Sequence, residues 1–143
     1  MPSLVPELTV TDFDASLRFY RDILGWQVIY DRPEDSFAYL RMGGADLMID
    51  APSVGRNFDQ SLTAADRPFG RGMNLEITVD EVQPLLDALA EKGWPLILPD
   101  EEKWYRAGDH ETGQRQFVVA DPDGYYLRFC QLLGTRPARQ HAL

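Results

Sequence analysis

Val10-Thr11-Asp12-Phe13-Asp14-Ala15-Ser16-Leu17-Arg18-Phe19-Tyr20-Arg21-Asp22-Ile23-Leu24-Gly25-Trp26 is the stretch whose pattern decides the fold, because the chain repeats it. Val79-Asp80 opens a second stretch that closes on Gly93-Trp94, and Asp-to-Gly is thirteen steps in both. Self-similarity of this kind outweighs any single motif. Inside the first stretch Leu17, Tyr20, Ile23 and Leu24 fall on one helical stripe behind an Asp12 or Asp14 cap. Inside the second, Val82, Leu85, Leu86, Leu89 and Ala90 do the same behind an Asp80 cap. Gly25 and Gly93 stand where a left-handed residue ends a helix.

Working outward, each helix follows a short alternating run, Leu8-Thr9-Val10 or Leu75 to Val79, as expected of a strand with one buried face. Each Gly-Trp leads into another apolar strand, Val28-Ile29-Tyr30 or Leu96-Ile97-Leu98. A hairpin then closes each half. The first is Phe37 to Arg41, a Gly43-Gly44 turn and Asp46 to Asp50; the second is Gln116 to Ala120, Asp121-Pro122-Asp123-Gly124 and Tyr125 to Leu132. Gly-Gly and Asp-Gly suit such turns because they accept positive φ. The order is βαβββ twice, an α+β fold forming a cupped mixed sheet with helices outside. One domain spans 1–133, with repeats at 4–50 and 73–133, a linker at 51–72 and a polar tail at 134–143. A single repeat would leave an apolar sheet face bare, so the two must share a core or a cavity.

Composition narrows the function. The 143 residues hold 14 Lys plus Arg against 23 Asp plus Glu, a net charge of −9. An anionic surface without a basic stripe excludes nucleic acid as the expected partner, and the same field favours cationic ligands. No apolar run reaches the length of a membrane span, and the N-terminus lacks a signal-peptide pattern, so no membrane partner and a cytoplasmic location are expected. The one cysteine, Cys130, sits in the apolar run Leu127 to Leu133 and reads as a buried, inert thiol. Trp26 and Trp94 read as core. Pro99 to Gln114 reads as a loop, whose Trp104, Tyr105, Arg106 and His110 could cover a ligand.

The order of elements, together with Val10-Thr11-Asp12, Phe19-Tyr20, Leu24-Gly25-Trp26 and Asp121-Pro122-Asp123-Gly124-Tyr125, resembles the glyoxalase/bleomycin-resistance/dioxygenase (vicinal oxygen chelate) superfamily over roughly residues 4–133. The resemblance implies a cavity in which the family's enzymes hold a divalent metal with side chains from the first and fourth strands of each half. Here those positions carry Val5, Asn74 and Arg128, with the fourth on Met48 or Asp50. Valine cannot ligate, and a fixed positive charge opposes a divalent cation. No metal and no other cofactor are therefore expected, leaving only an improvised carboxylate set of Glu7, Asp50 and Glu76. The character is nearest to the metal-free bleomycin-resistance-like branch, which implies a homodimer sharing its clefts.

Strand alternation sends Leu8 and Val10 to one face and Glu7 and Thr9 to the other; likewise Leu75, Ile77 and Val79 against Asn74, Glu76 and Thr78. The expected ligand-binding set is Glu7, Thr9, Met48, Asp50, Asn74, Glu76, Trp104, Tyr126 and Arg128, with no catalytic residue. Three functions compete: a metal-free protein that sequesters a cationic or aromatic small molecule, a superfamily lyase, isomerase or dioxygenase using an atypical or carboxylate-only site, and a partner-binding module without an open pocket. No phosphate loop, nucleotide fingerprint or Gly-x-Ser-x-Gly elbow is present.

Overall fold

A computed structural model describes residues 2–52, 58–59 and 61–139. Strand β1 (Glu7–Thr9) leads to helix α1 (Phe13–Leu17), which continues as a π-helical segment over Arg18–Ile23. Strands β2 (Gln27–Arg32), β3 (Phe37–Met42) and β4 (Ala45–Asp50) complete the first half. The second half runs β5 (Asn74–Thr78), α2 (Gln83–Glu91), β6 (Leu96–Ala107), β7 (His110–Ala120) and β8 (Tyr126–Pro137). Each half is one four-stranded mixed sheet of the same order, β1-β4-β3-β2 and β5-β8-β7-β6. In each, the first strand pairs in parallel with the fourth and the other pairings are antiparallel. The expected βαβββ repeat is thus present twice.

Asp12 caps α1 by accepting the Ala15 amide at 3.1 Å. Asp80 does not cap α2, contrary to expectation. That helix starts at Gln83, and the Val82 amide before it is taken by Gln131 Oε1 from β8 at 3.1 Å. Gly25 and Gly93 do end their helices at positive φ, 84° and 64°. The first helical stripe also comes out wider than a 3.6-residue period allows. Leu24 donates back five residues to Phe19, and the added residue in that turn brings both Phe19 and Tyr20 inward. Both are buried.

One apolar core joins the halves. Leu8, Val10, Phe19, Tyr20, Leu40 and Ile49 from the first pack in one cluster with Ile77, Val82, Leu89, Phe117, Leu127 and Phe129 from the second. Trp26 is buried there, while Trp94 is half-buried, 4.8 Å from the Phe19 ring. The Asp121–Gly124 turn latches this core. Asp121 Oδ2 accepts the buried Tyr20 hydroxyl at 2.7 Å, and its Oδ1 accepts the amides of Asp123 and Tyr125. Asp123 accepts the Thr11 amide and hydroxyl at 3.0 and 2.7 Å and Arg67 Nε at 2.9 Å. The Tyr125 hydroxyl donates to the Thr9 carbonyl. A Cβ on Gly124 would stand 2.4 Å from Pro68, so the turn admits no side chain where the linker crosses it.

Two boundaries differ from the sequence reading. Pro99–Gln114 is not a loop: β6 and β7 continue through it as a hairpin turning at Gly108-Asp109, with Glu101 opposite Gln116 and Ala107 opposite His110. Likewise β8 continues to Pro137, so the first residues of the supposed tail are strand. The three strands of this arm are mostly polar on both faces, so no period-2 apolar signal marks them. Among the described residues no helix is long and apolar enough to cross a membrane.

Candidate functional site

The sheet faces turned away from the helices carry the polar residues. In the first half Glu7 lies opposite Met48 and Thr9 opposite Asp50, so four expected site residues form one block. In the second, Asn74 lies opposite Tyr126 and Glu76 opposite Arg128, forming another. The Val10 amide closes on the Asp50 carbonyl and the Val79 amide on the Cys130 carbonyl, each at the end of its parallel pair. The blocks are therefore equivalent: Glu7 matches Glu76, Met48 matches Arg128 and Asp50 matches Cys130. A cleft of about 260 Å³ takes in Asn74 and Glu76 of the second block, with Pro6, Asp46 and Leu47 on its other side, but none of the first block's four residues lines it.

Trp104 stands apart from the other eight. It lies opposite Gly113, whose Cβ would come within 2.6 Å of its ring, and the Arg136 guanidinium covers it at 4.0 Å. Its neighbour Tyr105 faces the other way and accepts Gln116 Nε2 at 2.8 Å. Along a strand, successive residues alternate faces. Tyr105, not Trp104, thus shares the face of Glu76 and Arg128.

On the first face, buried Phe37 and Tyr39 lie beneath Tyr30, whose ring stacks on Tyr39 at 5.1 Å and is 44 % exposed. The Arg32 guanidinium lies 4.1 Å from the Phe37 centroid and 6.0 Å from that of Tyr30. Phe37 is directly opposite Asp50. Asp50 is 7 % exposed, and its Oδ1 is buried without a hydrogen-bond partner. Burial raises its carboxyl to about 6, helped by the negative charge of Glu7 and hydrogen bonding with it. Asp46, on the same face, is held down at about 2 by Arg41, at 2.8 and 2.9 Å, and by the Tyr39 hydroxyl at 2.6 Å.

The second face is an amide network. Buried Gln114 donates Nε2 to Gln116 Oε1 at 2.6 Å and to Glu76 Oε1 at 3.3 Å, and Gln116 donates Nε2 to Glu101 at 2.9 Å. Cys130 Sγ lies 3.3 Å from Glu76 Oε1; burial first, then the Glu76 hydrogen bond and charge, push the thiol up to about 12. The thiol is buried, as expected from the sequence, and a thiol held protonated is a poor nucleophile. Gln114, Gln116, Glu101, Tyr105, Tyr30, Arg32, Phe37 and Tyr39 were missing from the expected set. Parity would have found Phe37 and Tyr39, which alternate with core residues Ala38 and Leu40.

Among the described residues no three His, Cys, Asp or Glu side chains gather as a metal-holding group. Glu7 and Asp50 are neighbours while Glu76 answers to Gln114, Cys130 and Arg128, so the three carboxylates stand in two places. The strand register also settles which first-half residue matches Arg128: it is Met48. Val5, Met48, Asn74 and Arg128 offer no hard anionic ligand, and they do not fit a divalent metal. A larger groove of about 530 Å³ lies by the latch, between Thr11, Asp12, Arg67, Trp94 and Pro122. Its buried acids, Asp121 and Asp123, are already hydrogen-bonded within the fold, so it offers a ligand mainly apolar walls.

The chain matches the model of the Glyoxalase/Bleomycin resistance protein/Dioxygenase superfamily over residues 4–129 and belongs to that superfamily. It is 34% identical to a superfamily member from Vibrio splendidus 12B01, covering 90% of this chain and 97% of that one, with a TM-score of 0.41. TioX from Micromonospora sp. ML1 superposes with a TM-score of 0.64 at 21% identity, covering 93% of this chain and all of that one. A glyoxalase/bleomycin resistance protein from Streptomyces sp. CB03234 gives 0.62 at 21% identity, covering 89% and 97%. No curated protein matches the chain.

Proposed function

We propose that this chain is a small-molecule binding protein of the superfamily that sequesters a planar cation on the helix-free face of its first sheet. The observation that carries this is Arg32, a planar cation of the chain itself, lying over Phe37 and Tyr30 beside Asp50 and Glu7. Aromatic faces attract cations through their quadrupole, by ~0.5–2 kcal/mol. A partly desolvated carboxylate pair adds charge attraction, and the net charge of −9 assists encounter. In this reading two copies pair about a twofold and share their clefts, and light scattering gives twice the chain mass.

Calorimetric titration with bleomycin-type glycopeptides and a panel of cationic aromatics tests the reading. Binding of at least one cation is expected, with association slowed by salt and affinity lowered about tenfold by Asp50→Asn. If small aromatic anions bind while no cation does, the reading is wrong. The metal-free part has its own check. Elemental analysis of purified protein is expected to find less than stoichiometric zinc, nickel, manganese or iron, and chelator is expected to leave the melting temperature unchanged.

A second reading, superfamily enzyme, is favoured by one observation. A carboxyl near 6 is poised to exchange protons at neutral pH. If Asp50 acts as a general base, turnover rises as pH passes through 6 and is lost in Asp50→Asn.

A further inference from the structure

Among the described residues five arginines close tightly on a carboxylate, one of them Arg21 on its chain neighbour Asp22 at 2.8 Å. Arg41 reaches Asp46 at 2.8 Å, Arg67 reaches Asp123 at 2.9 Å, Arg115 reaches Asp100 at 2.6 Å and Arg136 reaches Glu111 at 2.7 Å. Arg128 does not. It faces Glu76 directly across the parallel pair, yet its nearest nitrogen stays 3.9 Å from Oε1, and its Nε is buried without any hydrogen-bond partner. The cause lies on the far side of Glu76. Oε1 is already engaged by the Gln114 amide and lies 3.3 Å from the Cys130 thiol, which draws the carboxylate away from the guanidinium. Glu76 keeps 47% of its side chain exposed and Arg128 28%, so both reach the open face. Tyr126 and Asn74 stand next to them in the register.

A donor and an acceptor held side by side, neither satisfied by the other, present one hydrogen-bonding edge. Arg offers N–H donors only and an ionised Glu offers acceptors only. The complementary group carries a carbonyl oxygen and an N–H on one carbon, which describes a primary carboxamide or a lactam. A carboxylate would also suit Arg128 but would meet the charge of Glu76, and like charges at this range repel. We infer that Glu76 and Arg128 together form a carboxamide-reading subsite, with the carbonyl oxygen on Arg128, the amide N–H on Glu76 and a planar body against Tyr126. The inference rests on the reading of the helix-free faces as the ligand site, but it concerns the second sheet and a neutral group, whereas that reading concerns the first sheet and a cation.

Three probes sharing one ring system separate them: 2-naphthamide, 2-naphthoate and 2-naphthylmethylammonium, titrated by calorimetry with the Arg Nε–H signals followed by NMR. Native protein is expected to bind the amide about tenfold more tightly than the carboxylate, with one Arg Nε–H signal shifting. Arg128→Gln is expected to weaken the amide about tenfold, and Arg128→Lys about fivefold, because an ammonium lacks the planar fork. Glu76→Gln should bring amide and carboxylate within about threefold of each other by removing the repulsion. Unfolding curves check that each variant is folded. An amide that ignores Arg128→Gln, or a carboxylate that binds native protein more tightly than the amide, overturns the inference. If the ammonium probe binds and responds to Asp50→Asn while the amide is indifferent to Arg128, this inference alone falls. If the amide behaves as expected and no cation binds, the cation reading alone falls.

Discussion

The two halves share one topology and one register but differ in what their equivalent positions hold. At the end of the parallel pair the first half has Asp50 and the second Cys130, opposite Thr9 and Thr78, and each has a glutamate as its charged neighbour, Glu7 or Glu76. Burial and the neighbouring carboxylate push both groups up, to about 6 for the aspartate and about 12 for the thiol. The same environment therefore yields a group that titrates near neutrality in one half and one that stays protonated in the other. At the next pair inward, Met48 faces Glu7 where Arg128 faces Glu76. The lesson is that the repeat conserves an environment, and a single residue choice within it sets the charge of each face.

The largest way to disturb the comparison is to unlatch the halves. Asp121→Ala removes the acceptor of the buried Tyr20 hydroxyl and of two turn amides. A cost of about 3–5 kcal/mol is expected in denaturant titration, since the buried donors are left unpaired. Asp121→Asn, which can still accept both amides, should cost clearly less.

A smaller effect sharpens the contrast between Asp50 and Cys130. Because the folded-state carboxyl of Asp50 lies above its ordinary value of 3.8, the folded protein binds this proton more tightly than the unfolded chain does. The sign follows: the contribution is full below about pH 4 and is lost as pH rises through 6. Asp50→Asn is thus expected to stabilise by about 1–2 kcal/mol at pH 8 and to do little at pH 4. Asp121, also raised to about 6 by burial, titrates in the same window, so the variant flattens the slope without abolishing it. A variant no more stable than native at pH 8 would show that the ionised Asp50 is better paired than its unpartnered Oδ1 indicates.

The smallest effect belongs to the second half. With its thiol near 12, Cys130 is expected to react with a disulfide reagent only as fast as the protein opens, at a rate that does not change between pH 6 and 8 beyond that opening. Rapid native-state labelling would mean that reagent reaches the Cys130 sulfur without the fold opening.

The repeat, the helix-ending glycines and the polar parity of β1 and β5 were legible in the sequence because each rests on a local rule: a period, a turn residue or an alternation. Eight of the nine expected site residues accordingly fall into the two register blocks. Trp104 did not, because the arm that carries it has no buried apolar face to betray its strands. Asp80 looked as good a cap as Asp12, yet Gln131, distant in sequence, supplies that bond instead. The stacked Tyr30, Phe37 and Tyr39 lie on three positions of two strands whose register shifts between Val28 and Tyr30. Such a bulge moves a side chain to the other face without a sequence mark. The gap between Arg128 and Glu76 was equally hidden, since it depends on Gln114 and Cys130 arriving from β7 and β8.

The latch also sets a timetable for synthesis. Tyr20 and its acceptor Asp121 are 101 positions apart, and Thr11 and Asp123 are 112. At ~5–20 residues per second on the ribosome, the first half waits about 5–20 s for its partner to be made. Through that interval Phe19, Tyr20 and Trp26 have no second half to cover them, and the closure that follows joins distant parts of the chain, a topology associated with slow folding. The nascent first half thus carries this aromatic surface without its second-half cover until Asp121 has been made.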